Sequence, residues 1–203
     1  ADLLGSEKLV VGIAQGFGAS LVAPGHVHHN DIKAIRLGTY GDLPLASIEE
    51  LASLWRQVGF DTEAVHNIVS AQWEKLICNV SYSATCALTG LTVGEAMLDE
   101  ALGPITREAT LEAYDVAQAL NITLSFDDPV AYVRAFAERM PDAKPSVLLD
   151  IESGKPSEVG VINGSIPRQA SKVGLSAPVN ATLTRLVQAM ENRLRKNSLE
   201  ETP

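Results

Sequence analysis

The chain has 203 residues, of which 46% are hydrophobic and 20% charged, and its formal net charge is -9. That length supplies one substantial core, or one domain plus part of another, and the composition excludes disorder over most of the chain. The negative balance excludes a nucleic-acid binder, because no basic patch offsets phosphate repulsion; Arg193, Arg195 and Lys196 read instead as the cationic last turn of a helix.

No apolar run reaches the ~20 residues of a membrane span, and no signal-peptide pattern opens the chain. The expectation is a cytoplasmic protein with no membrane attachment. Cys78 and Cys86 stand eight apart in one predicted helix, more than about 10 Å apart along its axis, so they are expected as reduced, buried thiols rather than a disulfide.

In chain order, residues 1–5 resemble the tail of a helix ending on Gly5, which leads to the expectation that a segment upstream is missing. The runs from Leu9 to Ala14 and from Gly18 to Ala23 have strand character, Pro24-Gly25 signals a turn before His26–His29, and Asp31–Leu37 reads as a further strand. Gly16-Phe17-Gly18 is an incomplete dinucleotide fingerprint, since Leu21 replaces the third glycine and a strand follows where a helix is required. His26 and His28 share one strand face while His29 points the other way, and no cysteine or carboxylate joins them at ligand spacing, so no metal site is expected.

Ser47 to Gly59 reads as a helix with Ser47 as N-cap, an apolar face of Leu51, Leu54 and Val58, and Gly59 as its stop. Phe60–His66 resembles a short strand. A domain boundary falls near residue 66, giving a β-rich segment over 1–66 and a helical one over 67–203. The spacing predicts helices from about 71 to Thr89, over Val93–Leu98, and from Gly103 to Leu120 with Ile105, Ala109, Leu111, Ala113, Val116, Ala117 and Leu120 as its apolar face. Further helices are expected over Pro129–Met140 behind Asp127 or Asp128, over Ser146–Ser153, from a Ser157 cap to Val173 with a kink at Pro167, and over Asn180–Lys196. Leu175–Val179 reads as a loop, and Asn197–Pro203 is expected to fray.

The helix containing Ala71–Ser83 organises the chemistry. At about 100° per residue, Lys75, Asn79 and Ser83 fall within an arc of roughly 80°, flanked by Trp73, Leu76, Ile77 and Val80. Two readings stand: a polar stripe facing a ligand cleft, or a lysine reaching solvent at the helix edge with Asn79 bonded to nearby backbone. Glu158, at the start of a predicted helix, reads on its own as a carboxylate favoured by the helix dipole, and Ser146 as an N-cap.

Trp73-Glu-Lys75-Leu-Ile-Cys-Asn79, Leu91-Thr-Val-Gly-Glu95, the run from Pro145 to Glu158, and Asn163-Gly164 occur in an order that resembles the C-terminal half of ketopantoate reductases, from about Val10 to Glu191. The resemblance implies a mainly α fold: a helical domain like that of 6-phosphogluconate dehydrogenase, preceded by the β-rich remnant of a Rossmann-type nucleotide-binding domain. It implies NADPH-dependent reduction of 2-dehydropantoate to pantoate, on the route to pantothenate and coenzyme A, by a homodimer. Within that family pattern Lys75 is the general acid, Glu158 contacts substrate and lysine, Asn79 anchors the substrate and Ser146 binds it. A lysine suits the task because hydride transfer leaves negative charge on the carbonyl oxygen, which needs a proton donor.

Two departures bear on specificity. Ser83 stands where the family commonly carries a second asparagine, and Glu158-Val159-Gly160 replaces its Glu-Ile-Asp run. A reductase of another 2-keto acid, or a non-catalytic helical dimerisation module with a decayed site, are the alternatives. The glycine-rich NADPH-binding segment of the family is absent, so the expectation is a fragment inactive by itself.

Overall fold

The computed structural model describes residues 3, 5–15, 18–31, 34–41 and 43–200. It forms two compact units, Ala1–Lys75 and Leu76–Pro203.

In the first unit, β1 (Val10–Gln15) pairs antiparallel with β4 (Ala34–Thr39), and β4 pairs in parallel with β5 (Thr62–Ala64), giving the order β1-β4-β5. β2 (Gly18–Ala23) and β3 (His26–Asp31) form a separate hairpin around Pro24-Gly25. The parallel pair requires a crossover, and α1 (Leu45–Gln57) supplies it. The core here is Leu37, Ile48 and Ala52, with Ile35, Leu43, Leu45, Leu51 and Ala64 packed against it. The expected helix tail over 1–5 falls mostly outside the described residues, as do Gly16, Phe17, Ile32 and Lys33.

α1 departs from expectation at its start and on its apolar face. It begins at Leu45 behind Pro44, and the N–H of Ser47 donates to the Pro44 carbonyl at 3.0 Å, so Ser47 is inside the helix rather than its cap. The buried stripe runs through Ile48 and Ala52, while Leu54 and Val58 remain 59% and 72% exposed. Leu54 lies about 120° around the helix from Ile48, and only the Ile48 side meets β4. Gly59 does close the helix, at φ 95°.

α2 (Ile68–Thr89) is one unbroken helix that starts in the first unit and runs into the second. Residues 80–87 are all buried, as in a helix enclosed by its own domain. The second unit continues with α3 (Val93–Leu98), α4 (Gly103–Ala119), α5 (Pro129–Arg139), α6 (Ser146–Glu152), α7 (Ser165–Lys172) and α8 (Pro178–Glu200). α4 packs against α3, α5, α7 and α8. The chain is mainly α, a helical domain preceded by a small sheet region. Cys78 and Cys86 are buried and are not joined in a disulfide.

α3 is defined by its ends. Thr92 and Glu95 make a reciprocal capping box, and the N–H groups of Val93 and Gly94 donate to the carbonyls of Ala143 and Pro141 at 2.9 and 2.8 Å. A side chain at position 94 would come within 2.7 Å of the Pro141 Cβ, so only glycine permits this approach. Asp128, not Asp127, caps α5 by accepting from Val130 and Ala131.

The buried face of α4 keeps Ala109, Ala113, Val116 and Ala117 of the expected one and differs from it in its first turns. Thr106 and Thr110 are buried and Ile105 is exposed. The hydroxyls are tolerated because each finds an acceptor: Thr110 donates to the Thr106 carbonyl at 2.7 Å and meets the Ser81 hydroxyl of α2 at 2.6 Å. α8 begins at Pro178, so the preceding loop is shorter than the sequence suggests, and the helix continues through Asn197 to Glu200; the rest of the end expected to fray, 201–203, lies outside the described residues.

Candidate functional site

Lys75, Asn79 and Ser83 occupy successive turns of α2 and differ in exposure: Lys75 is exposed, Asn79 half-buried and Ser83 buried at 2%. The ammonium of Lys75 donates to the carbonyl of Ala14 on β1 at 2.8 Å. It is therefore a charged group at the helix surface that is already directed by a backbone oxygen.

Glu158 is exposed, and the segment around it is not the helix expected from Ser157. Residues 158–164 form consecutive turns, and α7 begins only at Ser165. Ser157 still acts locally like a cap, its hydroxyl accepting from the N–H of Val159 at 3.3 Å, while the Glu158 carbonyl accepts from Val161 and Ile162 at 2.9 and 3.0 Å. The turns are compact because Gly164 presses on Gly160: a side chain at 164 would stand 2.6 Å from the Gly160 carbonyl oxygen. Pro167 falls in the first turn of α7, where its missing N–H has no helical partner to lose, so it produces no kink.

Ser146 is exposed as the first residue of α6, whose N-cap is Pro145, so its hydroxyl does not cap the helix. Among the described residues, no hydrogen bond joins the side chains of Asn79, Ser83, Ser146 and Glu158 to one another. What the structure brings together is the Glu158 segment and α2, through a residue that sequence reasoning left without a role.

That residue is Asn163, fully buried, whose Nδ2 donates to the Val80 carbonyl at 2.8 Å and to Asn180 Oδ1 at 2.9 Å. Asn180 in turn donates from Nδ2 to the Ala109 carbonyl at 3.0 Å and to Glu112 Oε2 at 2.8 Å. Glu112 also accepts the backbone N–H groups of Val179 and Asn180 at 2.8 and 2.9 Å, and so closes the N-terminus of α8. Glu112 thus fixes the orientation of both amides, and the network joins α2, the turns, α4 and α8. The signal was present in the sequence: Ala177, Asn180, Leu183, Thr184 and Val187 are all buried at helical spacing, so Asn180 sits at a core position.

Burial pushes the Cys86 thiol up to about 12 and the Tyr82 hydroxyl up to about 12, so neither offers a nucleophile or base near neutrality. His26 and His28 are exposed on β3. Among the described residues, no group of three or more His, Cys, Asp or Glu side chains is placed to hold a metal ion, and no helix is long and apolar enough to cross a membrane.

The family profile described as "Ketopantoate reductase PanE/ApbA C terminal" matches residues 67–191, more than half of the chain. The chain belongs to the ketopantoate reductase family. It is 29% identical over 187 residues to the 2-dehydropantoate 2-reductase of Archaeoglobus fulgidus, covering 92% of this chain and 63% of that protein. The 2-dehydropantoate 2-reductase of Pyrococcus horikoshii is 30% identical over 86% of this chain and 58% of its own length. Among solved structures, a PanE/ApbA family ketopantoate reductase from Ralstonia eutropha JMP134 superposes with a TM-score of 0.85 at 28% identity, over 96% of this chain and 63% of that one. The chain therefore spans somewhat under two thirds of the length of these ketopantoate reductases.

Proposed function

We propose that these residues form the acid-binding and proton-donating part of an NADPH-dependent reductase that converts 2-dehydropantoate to pantoate. The observation that carries the reading is the position of Lys75 and Asn79, one helical turn apart inside the segment matching the family. As a carbonyl accepts hydride, its oxygen gains charge, and a lysine ammonium beside it supplies a proton to give the alcohol. Asn79 offers both an amide donor and an acceptor to the keto acid, and Glu158 and Ser146 are assigned to its hydroxyl and carboxylate ends.

The nicotinamide cofactor is not assigned to these residues. Gly18 leads into the strand β2, and among the described residues no glycine-rich turn opens a helix that would cradle a pyrophosphate. In this reading the 1–66 segment is the end of a nucleotide-binding domain and 67–203 the substrate domain, and pairing of two copies completes the enzyme.

A second reading is favoured by Ser83. It is buried on the Lys75 and Asn79 face and brings one hydroxyl where the resemblance leads one to expect an amide. A pocket with one fewer donor fits a differently substituted 2-keto acid. The test is NADPH oxidation by the full-length polypeptide with 2-dehydropantoate and a panel of 2-keto acids. Preference for 2-dehydropantoate supports the first reading and preference for another acid the second. Absence of turnover with every acid, from protein that binds NADPH, contradicts both.

A further inference from the structure

The segment carrying Glu158 is held at both ends by α8. Downstream, Asn163 is held by Asn180 in the buried network. Upstream, the backbone N–H of Ser157 donates to Glu191 Oε1 at 2.9 Å, across 34 residues of sequence. Glu191 is half-buried beside a surface groove that also includes Lys155, Pro156 and Arg195. Arg195 is engaged with Asn192 at 2.7 Å, which leaves the Glu191 carboxylate directed at the turn. A backbone N–H to carboxylate bond is charge-assisted and stronger than a neutral one.

We propose that Glu191 is a positioning residue for Glu158, acting through the backbone of the adjacent Ser157. The inference rests on the reading of Glu158 as a substrate-contacting carboxylate. The Glu158 carbonyl is bound by two N–H groups of the following turns, so its Cα moves with the turn as a body. Where Ser157 is held, the side chain of Glu158 is aimed; where it is released, only the Asn163 end remains fixed. Loss of Glu191 therefore lowers the fraction of productive orientations rather than removing a chemical group, and such misplacement costs on the order of 10-fold in kcat/KM.

The experiment is a double-mutant cycle in the full-length polypeptide, with kcat and KM measured for the keto acid that it turns over best and for NADPH. Glu191→Ala is expected to lower kcat/KM for the keto acid on the order of 10-fold with the KM for NADPH unchanged. Glu191→Gln, whose amide oxygen still accepts the Ser157 N–H, is expected to restore it. Glu191→Asp withdraws the acceptor by one methylene while keeping its charge and is expected to fall between, providing a milder variant should alanine fail to fold. In a Glu158→Ala background, Glu191→Ala is expected to have no further effect. An unchanged kcat/KM in Glu191→Ala, or an equal loss with and without Glu158, overturns the inference while leaving the role of Glu158 intact. Full activity in Glu158→Ala alone instead overturns the reading on which the inference rests.

Discussion

The Nδ2 of Asn163 donates to the carbonyl of Val80 at 2.8 Å, although 83 residues separate them in sequence. This bond fixes the turns that carry Glu158 to the helix that carries Asn79 and Ser83. Both acceptors that face Asn163, the Val80 carbonyl and Asn180 Oδ1, require a donor.

Asn163→Asp is therefore expected to destabilise the protein severely, because it places a carboxylate against two acceptors in a fully buried position. The expected loss is roughly 3 kcal/mol or more, to be read as a fall in the urea midpoint at pH 7. An Asp variant as stable as the parent would contradict an amide whose Nδ2 faces both acceptors.

Glu112 accepts three hydrogen bonds at the start of α8, from Val179, from the Asn180 backbone and from the Asn180 side chain. Glu112→Ala is expected to cost about 2 kcal/mol of stability, with Glu112→Gln recovering part of it. Amide exchange in residues 179–183 should accelerate in the alanine variant before that of α5 does.

The buried thiol of Cys86 and hydroxyl of Tyr82 are both neutral when protonated, and burial raises both to about 12 from 9.0 and 10.0. As pH rises past 9, the unfolded chain releases these protons while the native chain retains them. Unfolding then releases protons, so stability declines between pH 9 and 12 and is insensitive to these two groups below pH 8. Urea titrations from pH 7 to 10.5 should show that decline, and it should be shallower in Cys86→Ala. An equal slope in both proteins would remove Cys86 from the explanation.

Because Gly18 opens a strand and not a phosphate-binding helix, calorimetry on these 203 residues is expected to give no tight NADPH binding. Stoichiometric binding at micromolar affinity would place the cofactor site within this chain.

Local signals carried most of the helical architecture. The Thr92/Glu95 box and the Asp128 cap are short-range events, and Val93–Leu98 and the start of α5 at Pro129 follow from them. What the sequence hid depends on distant partners. Nothing local shows that β5 pairs in parallel with β4, which is what buries the Ile48 stripe of α1 and exposes Leu54. Ser157 and Glu158 look like a helix start, and only the contact of Gly164 with Gly160 shows why the chain forms turns there. That Lys75, Asn79 and Ser83 stand on successive turns of one helix was legible from spacing alone. Asn163 and Glu112 were not, because each reads as an ordinary surface residue until its partner is placed beside it, and the spacing that sets Asn180 on the core face of α8 does not name its partners.

The central claim is that Lys75 donates the proton that completes keto-acid reduction. The measurement that tests it most directly is kcat of the full-length polypeptide and of its Lys75→Ala variant, with both shown to bind the keto acid and NADPH. The account predicts a fall in kcat of about 100-fold or more with both ligands still bound. A variant that binds both and turns over at the parent rate would contradict it.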